Sequence, residues 1–291
     1  MIFSAISWNI DPELFSIGPL TVRWYGLLFA TAFLSGYLVF TRYLATERLT
    51  AELLDQLLIY IAVGTVVGAR LGHCFFYEPE YFLKNPLEIL KIWKGGLASH
   101  GAAIGIPLSL WLYVRRYKMS FLWVIDRLVI VVALGGAFIR LGNLFNSEIY
   151  GGPTDLPWGF VFLRDRIYDP NTGQLLEPVA SHPTQLYEAF SYLLIFAVLF
   201  TFYRRNYTKI RDGLIFGVFM IMLFTARFFI EFVKNDQVGF ESGMTLNMGQ
   251  WLSLPFILAG VAMIIWTKKQ PRYFNQSPIP KAPKKEVKKK K

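Results

Sequence analysis

Arg140 closes the apolar run 128–139 and opens the stretch RLGNLFNSEIYG, whose other polar side chains are Asn143, Asn146, Ser147 and Glu148. A guanidinium at membrane depth costs roughly 2.5–3.5 kcal/mol on insertion scales, so a chain that keeps one there is expected to give it an anionic partner, a carboxylate of its own or a bound ligand. Arg140 and Asn143 are three residues apart and share a helix face. Arginine binds phosphate bidentately and stays charged, asparagine adds a neutral donor, and Glu148 can orient either one or pair with Arg140 to close the helix end. Arg227 and Glu231, in TARFFIE, are four apart and read on their own as an intrahelical salt bridge. Two such arginines on one side of a membrane suggest instead a clamp for a phosphate headgroup.

Three further places carry chemistry-bearing residues. His100 stands in GGLASHGAAIGI, among small residues that let backbone or ligand come close. Its imidazole can take a proton from a thiol or hydroxyl, or can bond a carbonyl and serve packing only. Tyr25, in RWYG, is an interfacial anchor or a phenol donor. His182, in SHPTQLYE, is expected to cap the span that follows, with Pro183 in its first turn.

The elements that must hold these residues follow from composition. Hydrophobic residues make up 54% of the 291 and charged residues 17%, with a mean hydropathy of +0.39. Soluble domains carry about 25% charged residues, so this is an all-α integral membrane protein. A span needs about 20 apolar residues, and seven stretches supply them: 24–43, 53–76, 97–114, 121–141, 185–203, 213–232 and 248–267. The seven-span domain covers 1–270. It includes an interfacial arm at about 77–96, in which Trp93 and the tyrosines are anchors, and a small external head at about 150–182 with a strand-like run at 158–163.

Alternating loops differ in basic charge. One side carries Arg42, Arg48, Arg115, Arg116, Lys118, Arg204, Arg205, Lys209, Arg211 and the Lys-rich stretch beyond 267; the other carries Arg23, Lys84, Lys91, Lys94, Arg164, Arg166 and Lys234. Short cytoplasmic loops retain positive charge, which puts the N-terminus outside and the C-terminus in the cytoplasm. Residues 271–291 read as a basic, disordered tail against anionic headgroups rather than a nucleic-acid-binding segment. No signal peptide is expected at the N-terminus. Cys74, the single cysteine, forms no intramolecular disulfide and reads as an apolar filler; no Cys/His spacing suggests a metal site, and no cofactor is expected. The sequence GARLG at 68–72 faintly echoes AFIRLG at 137–142, an echo read as chance because small residues are common in membrane helices. HExxH and GxSxG signatures are absent, and the seventh span has no interior lysine for a retinal.

WYG at 24–26, GARLG at 68–72, GGLASHGAAIG at 95–105, RLGNLFNSEIYG at 140–151, HPTQLYE at 182–188 and ARFFIEF at 226–232, in that order and spacing, resemble the prolipoprotein diacylglyceryl transferase family of bacterial inner-membrane enzymes. The sequence departs from the family's pattern at Ala102, Ala103 and Leu223. The resemblance implies a multi-pass inner-membrane protein with seven spans. It also implies transfer of a diacylglyceryl group from phosphatidylglycerol to the lipobox cysteine of a preprolipoprotein signal peptide, with a thioether formed and glycerol phosphate released. In that chemistry His100 is the candidate base for the thiol, Arg140 and Arg227 stabilise the departing phosphate, and Tyr25, Asn143, Glu148, Gly151 and Glu231 bind or position the substrate. The rival is a transporter or channel for an anionic solute, which paired intramembrane arginines would also suit.

Overall fold

A computed structural model describes residues 5–18, 20–44, 49–92, 95–165, 173–234 and 244–269. Trp93, Arg48, Arg166 and the basic tail at 271–291 lie outside the described residues. The chain is mostly helical. Six helices are long and apolar enough to cross a membrane: Trp24–Leu44, Ala51–Phe76, Phe121–Phe145, Thr184–Asn206, Leu214–Val233 and Met248–Thr267. The shortest has 20 residues, about 30 Å at 1.5 Å per residue, the thickness of the hydrocarbon layer. The expected span at 97–114 is also a helix, Ser99–Tyr117, but His100, Pro107, Arg115 and Arg116 make it less apolar than the six.

The described residues fall into two compact units, 41–125 and 5–40 with 126–269. The first holds α2 (Ala51–Phe76), the short α3 (Pro79–Lys84), a 3-10 turn at Pro86–Leu90, and α4 (Ser99–Tyr117). Thr50 caps α2 by accepting the Leu53 N–H at 3.4 Å. Helices α2 and α4 meet along Gly64, Gly68 and Gly72 on one side and Gly101, Gly105 and Ser109 on the other, each four apart. A Cβ on Gly68 would lie 2.5 Å from the Gly101 carbonyl oxygen, and one on Gly72 would lie 2.6 Å from the Gly101 Cα, so the two backbones touch. Small residues at this spacing are how membrane helices approach closely. An apolar groove of about 510 Å³ opens over this seam and ends at Phe75 and Phe76. Between the helices, the arm exposes Leu83, Leu87 and Leu90. Cys74 is buried and unpaired by any disulfide.

The second unit holds α1 (Trp24–Val39), most of α5 (Phe121–Phe145), α6 (Thr184–Asn206), α7 (Leu214–Ile230) and α8 (Met248–Thr267). Helix α5 is the most buried of the six long helices. Near its start, Asp126 accepts the Gly213 and Phe216 N–H groups at 2.7 Å each, a cap for α7 supplied by another helix. Arg127 stacks over Tyr203, its centre 5.2 Å from the ring, which gives that buried cation a structural role. Four short strands complete the unit, three of them absent from the all-α expectation. β1 (Ile6–Trp8) pairs in parallel with β4 (Phe160–Phe162), and β2 (Glu13–Ile17) with β3 (Leu20–Arg23) antiparallel. β4 falls within the strand-like run expected at 158–163. Phe160, Phe162 and Leu144 form a small core under Trp8 and Tyr150. The Tyr150 phenol donates to Asp165, and burial together with that bond pushes it above its usual range.

Gly101→Ala should destabilise the protein by about 1–3 kcal/mol through overpacking. Gly135→Ala, where a Cβ meets only the Ala32 methyl at 3.7 Å, should be neutral or gain up to about 1 kcal/mol from helix propensity. Thermal unfolding in detergent compares the two; equal midpoints would count against the seam.

Candidate active site

In the second unit, five helix ends come together: the starts of α1, α6 and α8 and the ends of α5 and α7. Tyr25, in the first turn of α1, packs its ring on Gly142 of α5, where a Cβ would lie 2.8 Å from the ring. Arg140 is on the same end of α5. Its Nε lies 2.8 Å from Glu188 Oε2, its Nη1 donates to Asn143 Oδ1 at 3.2 Å, and it also bonds the Tyr192 phenol oxygen. Glu188 is 1% exposed and takes a second cation, with Lys234 Nζ donating to its Oε1 at 2.9 Å. Lys234 in turn lies 3.8 Å from Glu231 Oε2. A guanidinium, two carboxylates and an ammonium thus form one chain, the arrangement that makes buried charge tolerable.

Backbone geometry explains how these groups arrive. Glu231 starts a 3-10 turn, Glu231–Val233, just after α7 ends, and this turn swings Lys234 back toward α6. Gly152 N–H donates to the Val233 carbonyl at 2.9 Å and Gly151 bridges Lys234 in antiparallel fashion. A Cβ at Gly151 would collide with the Val233 oxygen and with Thr184, so glycine is required there by close approach. The Glu231 carboxylate lies against Gly249 in the first turn of α8, where a Cβ would meet it at 2.5 Å. The positive end of the α8 dipole therefore supports it. α8 begins with a capping box of Asn247 and Gln250, and Asn247 also donates to the Glu231 carbonyl at 3.3 Å.

Glu148 does not pair with Arg140. It accepts from Asn143 Nδ2 at 2.8 Å and from Asn146 Nδ2 at 3.1 Å, so it orients the asparagine that touches Arg140. Its own carbonyl accepts Gln185 Nε2 at 2.8 Å. Nor do Arg227 and Glu231 form the intrahelical salt bridge considered above, because the helix tightens between them and Glu231 turns toward Lys234 and α8. Arg227 has no carboxylate partner among the described residues; its charge is felt by Tyr192, the phenol that Arg140 bonds. Both arginines therefore lie within electrostatic reach of one tyrosine. His182 does not cap α6: Pro183 occupies the cap position without a side-chain bond, and His182 Nδ1 sits 3.3 Å from the Tyr187 hydroxyl.

His100 belongs to the other unit and is the second residue of α4. Its exposed ring meets Phe76 edge-on at 5.3 Å and Tyr77 at 5.6 Å, and no described residue hydrogen-bonds it. Four residues stand close to the expected ones without having been assigned to them: Glu188, Lys234, Gln185 and Arg70. The signal for Arg70 and Glu188 was the one that marked Arg140, an ionisable side chain inside a span or in its first turn. Lys234 carried no such signal, since its loop position hides the turn that buries it.

Four similarities to known proteins bear on this site. The family model described as prolipoprotein diacylglyceryl transferase matches residues 12–266. A phosphatidylglycerol–prolipoprotein diacylglyceryl transferase of Tolumonas auensis is 49% identical over 264 residues, 90% of this chain and 98% of its own. Proteins of the same description from Porphyromonas gingivalis and Chloroherpeton thalassium are 45% and 44% identical, each covering over nine tenths of both chains.

Lys234→Met should lower stability by about 3 kcal/mol, since it leaves Glu188 buried with one cation fewer. The double variant Lys234→Met/Glu188→Gln removes one charge of each sign and should lose less than the sum of the single variants. Thermal midpoints in detergent test this, and additive losses would dissolve the network.

Proposed function

The chain belongs to the prolipoprotein diacylglyceryl transferase family, and from that premise we infer that it moves the diacylglyceryl group of phosphatidylglycerol onto the lipobox cysteine thiol of a preprolipoprotein. The observation that carries this reading is two arginines within electrostatic reach of Tyr192, one held by Glu188 and Asn143 and the other without a carboxylate partner among the described residues. A phosphodiester is an anion with paired oxygens, and guanidinium groups match it in charge and geometry.

The reaction uses these groups in order. The thiol gives its proton to His100 and the thiolate attacks the glyceryl carbon that bears the phosphate. A carbon–sulfur bond forms as the carbon–oxygen bond to phosphate breaks. Glycerol phosphate leaves with a growing negative charge, and Arg140 and Arg227 stabilise it in a water-poor site. The proton on His100 can then pass to the leaving phosphate or to water. Tyr25, within electrostatic reach of Arg140 and Glu148, lines the same end, and Asn143 and Glu148 hold the Arg140 guanidinium in place. Gly151 and Glu231 act by shaping the turn that delivers Lys234.

Seven spans with the N-terminus outside agree with the contacts made at the helix ends. Tyr25 at the start of α1 packs against Gly142 near the end of α5. If the six long helices all cross, those two ends fall on one side only when α4 crosses as well. The positive loops then face the cytoplasm. The site opens to the outer face of a bacterial inner membrane, where a lipobox cysteine at the end of a signal peptide can reach it. The described part of the arm, 77–92, lies in the interface, and residues 150–165 with 173–182 belong to a small external head.

Purified protein incubated with phosphatidylglycerol and a lipobox peptide should add a diacylglyceryl mass to the peptide cysteine and release glycerol phosphate, detected by mass spectrometry. Arg140→Ala and Arg227→Ala should each lower turnover by about 100-fold or more, the loss typical of removing one preorganised donor to a developing anion. A folded preparation that gives no mass gain, but conducts organic phosphates in proteoliposomes, would replace this reading with the transport one.

A further inference from the structure

Arg70 is 5% exposed on α2 and forms no ion pair with a carboxylate among the described residues. Its guanidinium is satisfied by backbone instead. Nε donates to the Ile89 carbonyl at 2.9 Å and Nη2 to that of Glu88 at 2.7 Å. Nη1 donates to the carbonyls of Gly95 at 2.7 Å and Gly96 at 3.2 Å. The cation also lies 4.9 Å from the centre of the Phe82 ring. One side chain therefore ties the 3-10 turn of the arm to the glycine pair that leads into α4. Charge-assisted bonds of this kind are about twice as strong as neutral ones, and four of them converge here.

The neighbours of Arg70 secure the same junction. The Ala69 carbonyl accepts the Ala98 N–H at 2.9 Å, and Gly72 packs on the Gly101 Cα. Gly96 has φ +72°, and a Cβ there would lie 2.5 Å from the His73 ring and 2.7 Å from Arg70 Nη1. His100 follows within four residues. A general base is ordinarily held by a hydrogen bond to its second nitrogen, and His100 has none from the described residues. Its ring direction comes from the placement of the α4 start and from Phe76 and Tyr77, which end α2.

We propose that Arg70 is a positioning residue for the transfer reaction, holding His100 in register through the carbonyls of the arm and of Gly95–Gly96. It touches no substrate. This inference rests on the role given to His100 in the transferase reading. Lysine keeps the charge but lacks the planar fork, so it cannot span two separate carbonyl pairs.

The test is steady-state transfer by full-length protein in phosphatidylglycerol vesicles, with fold monitored by thermal midpoint and gel filtration. Arg70→Lys should lower kcat by about 100-fold, the scale of an ångström misplacement of a catalytic group, with KM for phosphatidylglycerol little changed. The double variant Arg70→Lys/His100→Gln should be no slower than His100→Gln alone, because both act through one group. Gly96→Ala retains the guanidinium but crowds its contact, and gives the same kcat loss if Arg70→Lys does not fold. Wild-type kcat in Arg70→Lys, or losses that multiply in the double variant, would overturn the proposal while leaving the transferase reading intact. Full turnover in His100→Gln would also overturn it, by leaving nothing to position. Loss of product in the wild-type protein would instead overturn the transferase reading itself.

Discussion

A charge inside an apolar layer must be matched where it stands, and the ion pair between Arg140 and Glu188 is the match on which the second unit depends. Glu188 also bonds Lys234, which reaches toward Glu231, so one carboxylate of α6 links the end of α5 to the turn after α7. Removing any one member leaves its partner buried and uncompensated, a cost of several kcal/mol. Arg140 is anchored by Glu188, Asn143 and the Tyr192 phenol, and Arg227 has no carboxylate partner among the described residues.

The other unit solves its buried cation differently. Arg70 is neutralised by carbonyl dipoles and a phenyl face rather than by carboxylates. Carbonyls give order without adding formal charge, which suits a side chain whose work is to fix backbone. The glycine seam between α2 and α4 complements it. Small residues bring the two helices to backbone contact, and close contact leaves Ala69 and Ala98 near enough to hydrogen-bond. Packing and polar satisfaction therefore fix the start of α4 together.

Much of this was legible in the sequence because membrane helices declare themselves by length and apolarity. Six long helices fall on the expected stretches; α2 starts two residues early, where Thr50 sets its cap, and α8 keeps the expected bounds behind the Asn247–Gln250 box. Arg140, Asn143 and Glu148 were legible as a group because three- and five-residue spacings at a helix end keep side chains within reach. Their pairing was not. Glu148 serves Asn143, while the partner of Arg140 lies 48 residues further on, a long-range contact that no local spacing encodes. The strands at 5–23 were overlooked although Asp11-Pro12 and Gly18-Pro19 punctuate short apolar runs there. Arg70 is legible as a cation inside a span, but the carbonyls that satisfy it lie 18 to 26 residues further on, where no local spacing points.

The central claim is that Arg140 and Arg227 hold the phosphate of phosphatidylglycerol. The most direct measurement is a structure of the protein with that lipid bound. Phosphate oxygens within hydrogen-bond distance of both guanidinium groups, with Glu188 still on Arg140 Nε, is the arrangement expected. A headgroup resolved elsewhere, with both arginines facing protein groups alone, would contradict it.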